Sequence, residues 1–413
     1  MPDDGFPPTL AAAQQRIAAI DPTAYARSRN HLGGAVTRLS PYLTHGIVSL
    51  TEVAAGVAAR HPLALTHKLV QELAWRAFFH HVARRRGDGI LQSLHAGPRP
   101  EADYQPLLPD DVRQARSGVP VIDQAVRALY TTGWLHNHAR MWLASYLVHV
   151  RGVHWRAGAD WMLAHLLDGD RASNHLSWQW VAGTGSHKPY LFNAENVARH
   201  CAGTHDGWAS PGSVLDTSYT TLERWAHGQT PLPLAAPLAP DQGLPEPLLW
   251  RQPPPGLPAP AALPAATTLA GRTVQLLHPW ALAEPAAAAV AGADPGVLRL
   301  GVWPAEHFQQ APWTARRWAF VAQRLAAIST AVVWADGASL QQALQPAARV
   351  LTTDHPELPA SWPAAWRQSA APLLPEPAQL CGSFSQFWRQ ATRGIGQLDA
   401  LPGWPLARQQ PLF

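Results

Sequence analysis

Apolar residues in the first half of the chain recur with the period of an α-helix. Within residues 121–130 they fall at i, i+3, i+4 and i+7 from Ile122, which places them on one helical face. The same reasoning predicts helices over about residues 67–84 and 137–150, the second after a break at a Thr-Gly pair. Residues 10–205 are therefore predicted to form helices joined by polar loops.

The pattern changes in the second half of the chain. Twelve prolines fall within residues 230–266, where they remove backbone donors and favour an extended linker. Beyond it, short runs rich in β-branched residues alternate with helical segments such as WTARRWAFVAQRLAAI. The runs are TVQLLHP, VLRLGVWP, TAVVWAD and RVLTTD. We therefore predict a helical domain over residues 10–228, a proline-rich linker over 229–266 and a small parallel α/β domain over 267–413.

Composition narrows the classes of protein without identifying one. The 413 residues suffice for two domains with full cores, and the 47% hydrophobic content is that of a globular protein. Charged residues make up 15% and the formal net charge is +4, so any attraction to nucleic acid must come from local clustering. The 19 tryptophans are the outlier, and core filling explains only part of them.

The spacing of the cysteines and the length of the apolar stretches indicate whether metal sites, disulfides or membrane spans are expected. Cys201 and Cys381 are far apart and lack ligand spacing, so we expect neither a disulfide framework nor a metal site. The N-terminal residues show no signal-peptide pattern, and no apolar stretch approaches the roughly 18 residues of a membrane span. The cytoplasm is the expected location, and no membrane association is expected.

The densest chemistry lies in LLDGDRASNHLSWQW, residues 166–180. Two carboxylates (Asp168 and Asp170), an amide (Asn174) and two tryptophans crowd into this span beside a Gly-Thr-Gly loop. A helix cap followed by buried aromatic side chains is an equally good interpretation of the segment taken alone. Other segments of the chain favour the functional interpretation.

Four segments occur in the order and spacing of one known family: TRLSPYLTHG, QELAWRAFF, VPVIDQAVRALYTTGWLHNHARM and DGDRASNHLSWQW. Together they resemble the FAD-binding domain of photolyases and cryptochromes, over roughly residues 25–195. The resemblance implies a multidomain α and α/β protein, in which an all-helical FAD-binding domain precedes the small parallel α/β domain. It also implies FAD as a non-covalent cofactor.

The resemblance implies a complete cofactor site. Residues 37–40 match the loop that holds the FAD phosphates, where hydroxyls and backbone N–H groups suit an anion; a plain helix start is the alternative. Asp168 and Arg140 match a bidentate pair near the isoalloxazine ring, with a surface ion pair as the alternative. The implied cofactor-binding residues are Tyr25, Thr37, Arg38, Leu39, Ser40, Arg76, Asn137, Arg140, Asp168, Asp170 and Asn174.

Three residues match the electron-transfer groups of the family. Asn174 matches the residue facing flavin N5, where an amide can accept from N5–H; a helix-surface asparagine is the alternative. Trp178 and Trp155 match the first two members of a tryptophan chain from the surface to the photoexcited flavin, and core packing is the alternative for Trp155. Ala102 stands where the distal tryptophan usually lies, with Tyr104 the nearest aromatic residue. We therefore expect a truncated or rerouted chain.

A further group matches the residues that receive a cyclobutane pyrimidine dimer in repair enzymes. Glu72 and Trp75 share one helical face, as do Asn137 and Met141 on another helix. With Trp180 they would supply stacking surfaces and polar groups for a flipped-out base pair. The (6-4) branch of the family carries histidines at two of these positions, so cyclobutane dimers are the expected substrate. The implied catalytic residues are Glu72, Asn174, Trp178 and Trp155.

The chain also departs from the family. Ala77 replaces a usual acid, His138 stands where an arginine is usual, and His175 begins a bulkier stretch before the first tryptophan of the motif. Most members begin with an α/β antenna domain, whereas few residues precede the FAD region here. The C-terminal α/β segment has a similar size, so a permuted antenna-like domain and an unrelated appendage are both open interpretations.

Two functions follow from the resemblance. The first is that of a deoxyribodipyrimidine photo-lyase, in which light excites FADH− and electron transfer splits cyclobutane pyrimidine dimers in single- or double-stranded UV-damaged DNA. The second is that of a cryptochrome-like blue-light sensor, in which flavin photoreduction alters a surface for a protein partner. The complete set of substrate-facing residues favours the enzyme. Any antenna chromophore is left open.

Overall fold

The computed structural model describes residues 5–202, 207–233, 243–284 and 297–404. Its first part is helical, as the sequence predicts. The helices of this part are α1 (Leu10–Ala18), α2 (Pro22–Ser28), α3 (Ser40–Thr44), α4 (Leu50–Ala58), α5 (Lys68–Arg86), α6 (Asp110–Arg113), α7 (Pro120–Thr132), α8 (Asn137–Ser145), α9 (Trp155–His165), α10 (Arg171–Ala182), α11 (Ala194–His200) and α12 (Tyr219–Ala226). No helix of the described residues is both long and apolar enough to cross a membrane.

Local sequence explains where the central helices begin and end. α7 has Pro120 in its first turn and ends at Gly133, whose φ of 67° is the left-handed conformation that glycine adopts most readily. α10 starts after Asp170, whose side chain accepts a hydrogen bond from the Ser173 amide. The helix predicted over 137–150 is α8 followed by a π-helical turn, Tyr146–Val150.

The second part contains the predicted parallel sheet. Its strands are β1 (Leu249–Trp250), β2 (Thr273–Leu277), β3 (Val297–Pro304), β4 (Trp313–Thr314), β5 (Ala331–Ala335), β6 (Arg349–Thr353) and β7 (Arg367–Gln368). Five strands form a parallel sheet in the order β5-β3-β2-β6-β7, which is a doubly wound arrangement. The helices of this part are α13 (Ala266–Leu269), α14 (Ala305–Gln310), α15 (Ala315–Ile328), α16 (Gly337–Leu344) and α17 (Phe384–Ala391).

The predicted linker holds some regular structure. Strand β1 falls within residues 229–266 and pairs antiparallel with β4 of the α/β domain. Residues 234–242 of the linker, and 285–296 and 405–413 of the predicted α/β domain, lie outside the described residues. The three domain limits and the permuted-antenna interpretation stay predictions.

Two hydrophobic clusters fill the interior of the described chain. One lies among the later helices and includes Trp142 and Trp178. The other joins the early helices to the α/β domain, so that Val53 and Leu69 belong to the same cluster as Trp318. The α/β domain therefore shares a core with α1–α5.

Candidate functional site

Asp168 lies in the turn between α9 and α10 and is 4% exposed. One of its carboxylate oxygens accepts a hydrogen bond from Arg140 at 2.7 Å. The Nε of Arg140 donates instead to the carbonyl oxygen of Leu135 at 3.0 Å. The pair predicted from the sequence is therefore present, but one nitrogen makes it, and the expected bidentate geometry is wrong.

The other carboxylate oxygen of Asp168 is buried and has no hydrogen-bond partner among the described residues. The same holds for the Ser173 hydroxyl. Buried polar atoms are nearly always paired, so these two mark positions that a polar ligand would satisfy. A carboxylate oxygen and a hydroxyl fit the donors and acceptors of a flavin nucleotide, and the residues present are compatible with FAD.

Asp170 is a hub that joins two helices. Its Oδ1 accepts from the Ser173 amide at 2.7 Å, and its Oδ2 contacts Arg76 at 3.1 Å and His80 Nε2 at 2.8 Å. Burial acts to raise the pKa of Asp170, but Arg76 and His80 outweigh it and hold that pKa well below its ordinary value. The carboxylate is therefore ionised at neutral pH and fixes α5 to the start of α10.

The predicted phosphate loop has an unusual backbone. Arg38 has a φ of 49°, which is rare for a residue with a side chain. Its guanidinium lies over the rings of Phe6 and Trp134, at 4.8 Å and 4.6 Å from their centroids. The Ser40 hydroxyl accepts from the Trp134 indole at 3.1 Å. Arg38 and Ser40 thus already have partners within the protein, and Leu39 is 1% exposed.

Asn174 and the two predicted electron carriers lie along α9 and α10. The Asn174 amide nitrogen donates to the carbonyl oxygen of Ala159 at 2.8 Å, which leaves its own carbonyl oxygen as the group that can accept an N–H. Trp178 is 2% exposed and Trp155 is 3% exposed. A Cβ at Gly158 would lie 2.4 Å from the Trp178 ring, so glycine there lets the indole pack on α9, one turn from Trp155.

A tyrosine lies on the surface side of Trp155. The His154 ring centroid is 5.7 Å from that of Trp155 and 6.2 Å from that of Tyr104. Two backbone hydrogen bonds of Gln105, to Gly152 at 2.7 Å and from His154 at 2.8 Å, hold Tyr104 in place. Ala102 is exposed in the preceding turn. The series Trp155, His154, Tyr104 leads from the core toward the surface, and the truncated or rerouted electron-transfer chain stays a prediction.

The residues predicted to bind the substrate contact different partners on three helices. Glu72 is exposed and forms a salt bridge with Arg29 at 3.2 Å. Burial raises the pKa of Tyr25, and the negative charge of Glu72 raises it further. On α8, the amide nitrogen of exposed Asn137 lies 3.5 Å from the Met141 sulfur. The remaining member on α10 is Trp180, 38% exposed, with its ring 5.9 Å from that of Tyr190.

Trp75 has a partner that the sequence did not indicate. Its ring stacks on Phe384 of α17, with centroids 4.2 Å apart and planes 8° apart. Nearby, Phe387 is 1% exposed and packs on Phe78 and His81. The C-terminal helix therefore covers one face of the indole predicted to stack on DNA bases.

Two groups of histidines lie close together in the structure. His138 stacks on His200 with ring centroids 4.8 Å apart, and burial lowers the pKa of His138 to about 4. His80, Asp170 and His355 each bring one donor atom within 4.8 Å of the others. Arg76 contacts the same Asp170 oxygen as His80, so the two side chains of α5 form an ion-pair network with Asp170.

Sequence reasoning missed three residues that lie close to Asp170 and Arg171. His80 follows Arg76 by one helical turn, and that spacing was the available signal. His355 and Glu357 follow β6, at the end of the sheet where doubly wound folds place functional residues. Glu357 contacts Arg171 at 3.1 Å. Nothing local in the sequence relates these residues to α10.

Residues 69–207 match the sequence profile of the FAD binding domain of DNA photolyase. The chain is 41% identical over 157 residues to the deoxyribodipyrimidine photo-lyase of Streptomyces griseus, covering 37% of this chain and 33% of that protein. It is 35% identical over 234 residues to the enzyme of the same name from Thermus thermophilus, covering 55% and 51%.

Other similarities extend to cryptochromes. A cryptochrome DASH of Oryza sativa is 32% identical over 171 residues, which cover 39% of this chain and 29% of that protein. The solved cryptochrome of Synechocystis aligns with a TM-score of 0.41 and 27% identity, over 46% of this chain and 43% of that one. The chain spans about a third to a half of the length of the curated relatives.

The helical part of the molecule is thus a photolyase-type FAD-binding domain. Over that domain the chain is similar to the photolyase/cryptochrome family, and FAD is the cofactor that such a domain binds. The resemblance stated from four sequence motifs is confirmed.

Proposed function

We propose that this protein is a light-dependent deoxyribodipyrimidine photo-lyase that splits cyclobutane pyrimidine dimers in UV-damaged DNA. Curated relatives that share its FAD-binding domain carry that name. The observation that carries the proposal is the Arg140–Asp168 pair with its unpartnered carboxylate oxygen, next to the Asp170 hub. These buried polar groups suit a flavin, and the described residues leave one Asp168 oxygen without a hydrogen-bond partner.

When FAD is bound, this site would supply light-driven electron transfer: one electron passes from the reduced cofactor to the dimer and returns after the ring opens. The protein would hold the cofactor through the Asp168 and Asp170 groups and would place the Asn174 carbonyl oxygen toward an N–H. Trp178 and Trp155 would carry electrons inward from the surface.

The substrate would be held by groups on three helices, α5, α8 and α10. Asn137 and Met141 present an amide and a thioether side by side, and Glu72 offers a half-exposed carboxylate for the edges of the bases. Trp180 supplies an exposed indole for stacking, worth about 1–3 kcal/mol per base. Both cysteines are reduced and buried, which agrees with the cytoplasm that we propose as the compartment.

A direct test is repair of a thymine dimer in single- and double-stranded oligonucleotides by reduced, illuminated protein. We expect loss of dimers in the light and none in the dark. Glu72→Gln should lower the yield of splitting while leaving FAD binding intact, whereas Tyr219→Phe, a change on exposed α12, should leave the yield unaltered. Normal photoreduction without repair of either substrate would reject the enzyme.

The second candidate is a blue-light sensor of the cryptochrome type. The observation that favours it is the stack of Phe384 on Trp75, which places the protein's own C-terminal helix on an indole otherwise used for DNA. A sensor would photoreduce FAD and bind a protein partner without repairing DNA. Light-dependent exposure of α17 to a protease, in protein that lacks repair activity, would support this function.

A further inference from the structure

The α/β domain contacts the helical domain at the turn that carries the two flavin-site aspartates. Arg317 belongs to α15 and is 1% exposed. One of its terminal nitrogens donates to the main-chain carbonyl oxygen of Gly169 at 2.6 Å. Gly169 lies between Asp168 and Asp170, so this hydrogen bond ends in the middle of the site.

Gly169 is required for this contact. A Cβ at this position would lie 2.5 Å from Nη1 of Arg317 and 2.7 Å from the carbonyl oxygen of Leu163. Both separations are too short for a real carbon atom. Only a residue without a side chain therefore lets the guanidinium reach the backbone of the turn.

Further contacts hold the same turn at the domain boundary. The Trp313 ring lies against Arg317, with the guanidinium carbon 3.9 Å from the ring centroid. The two ring nitrogens of His45 lie 3.0 Å from the carbonyl oxygen of Leu167 and 2.6 Å from that of Pro279. The carbonyl oxygens of Leu167 and Gly169 thus both lie against side chains at the domain boundary, His45 and Arg317.

Each of the three carboxylates near Arg317 has a salt bridge with another arginine. Asp168 pairs with Arg140, Asp170 with Arg76, and Glu357 with Arg171. Burial lowers the pKa of Arg317 to about 10, although these three carboxylates act to raise it. A buried guanidinium is costly to keep unless it does something specific, and its direct partner here is the backbone of the turn.

We propose that Arg317 is a positioning residue for the flavin site, through which the α/β domain sets the conformation of the Asp168–Asp170 turn. This inference rests on the proposed function in one respect, that FAD is the ligand of the turn. FAD affinity then depends on the docked α/β domain, although none of the implied cofactor-binding residues belongs to that domain.

A matched control exists on the same helix. Arg324 is 4% exposed, and it donates to the carbonyl oxygen of Leu282 at 3.0 Å and to Glu284 at 3.2 Å. Neither partner belongs to residues 166–170. Arg317→Gln and Arg324→Gln therefore remove similarly buried guanidinium groups, and only the first removes a contact with the flavin site.

The experiment measures FAD dissociation and amide hydrogen exchange of residues 166–170 in the full-length chain. Arg317→Gln should weaken FAD binding roughly tenfold or more, the usual effect of losing a charged hydrogen bond, and should speed exchange in the turn. Arg324→Gln should lower the melting temperature without either change. Arg317→Lys, which keeps one charged donor, should restore part of the affinity.

Equal effects of the two glutamine variants on FAD affinity and on exchange would overturn the inference, as would no effect of Arg317→Gln. Should Arg317→Gln fail to fold, Gly169→Ala displaces the same guanidinium from the opposite side and should speed exchange in the turn. Wild-type protein that cannot bind FAD would reject the proposed function, while the exchange comparison would still decide the role of Arg317.

Discussion

Phe384→Ala tests what the C-terminal helix does to Trp75. The stacked pair contributes about 0.5–1.5 kcal/mol beyond the burial of its area, and truncation of a fully buried phenylalanine costs about 3–5 kcal/mol. Phe384 is only partly buried, so the free energy of unfolding should fall by about 2 kcal/mol. Urea denaturation followed by tryptophan fluorescence measures this change.

The same variant should bind dimer-containing DNA more tightly. Phe384 and a pyrimidine base compete for the Trp75 ring, and loss of the internal stack removes that competition. The stacking energy of about 0.5–1.5 kcal/mol corresponds to a gain of about two- to tenfold in affinity. Fluorescence anisotropy with a labelled oligonucleotide that contains one thymine dimer measures it.

Phe387→Ala is the control, because Phe387 lies on the same helix and packs on Phe78 and His81 rather than on the indole. It should destabilise the protein at least as much, since Phe387 is 1% exposed, without raising the affinity for DNA. Unchanged affinity in Phe384→Ala, together with the expected loss of stability, would refute the competition and show that bases use the other face of the ring.

Trp178→Phe should severely slow light-driven reduction of bound FAD, and Tyr104→Phe should slow it less and remove the tyrosyl signal from electron paramagnetic resonance; undiminished reduction in the first variant would reject the route. His278 should make the fold acid-sensitive, because burial lowers its pKa to about 4 and the unfolded chain takes up the proton first. Stability should fall as the pH drops from about 6.5 toward 4, by about 2 kcal/mol at pH 5, and His278→Gln should flatten that slope in urea titrations. Asp168→Asn should weaken FAD binding by about tenfold, seen as faster release of the cofactor on dilution, and an unchanged release rate would argue against its role.

Local patterns predicted the regular elements well because periodicity reflects burial of one face. The helix proposed over 67–84 is α5, and the four apolar runs of the second half contain β2, β3, β5 and β6. The two-residue strands β1, β4 and β7 were missed, since two residues cannot show a period. These short strands form only because folding brings them beside partner strands that are distant in sequence.

The candidate site was predicted in part for a similar reason. The pairing of Asp168 with Arg140 followed from motif spacing, because both residues lie within the helical region that carries the resemblance. The contacts of Trp75 with Phe384 and of Arg317 with Gly169 join residues far apart in sequence. No composition or spacing rule links such positions, and only the packing of the α/β domain on the helices brings them together.

The way the two parts pack argues against a passive role for the α/β domain. Its core residues form one cluster with those of α1–α5, so separating the parts would expose apolar surface on both sides. The separation would also leave buried polar groups unpaired, since Arg317 contacts Gly169 and His45 contacts Pro279 across the boundary. Unpaired buried polar groups each cost about 1–3 kcal/mol, so docking and local order at the turn are favoured together. Because Asp168 and Asp170 lie in that turn, loosening the α/β domain should disturb the proposed flavin site before the helices themselves unfold.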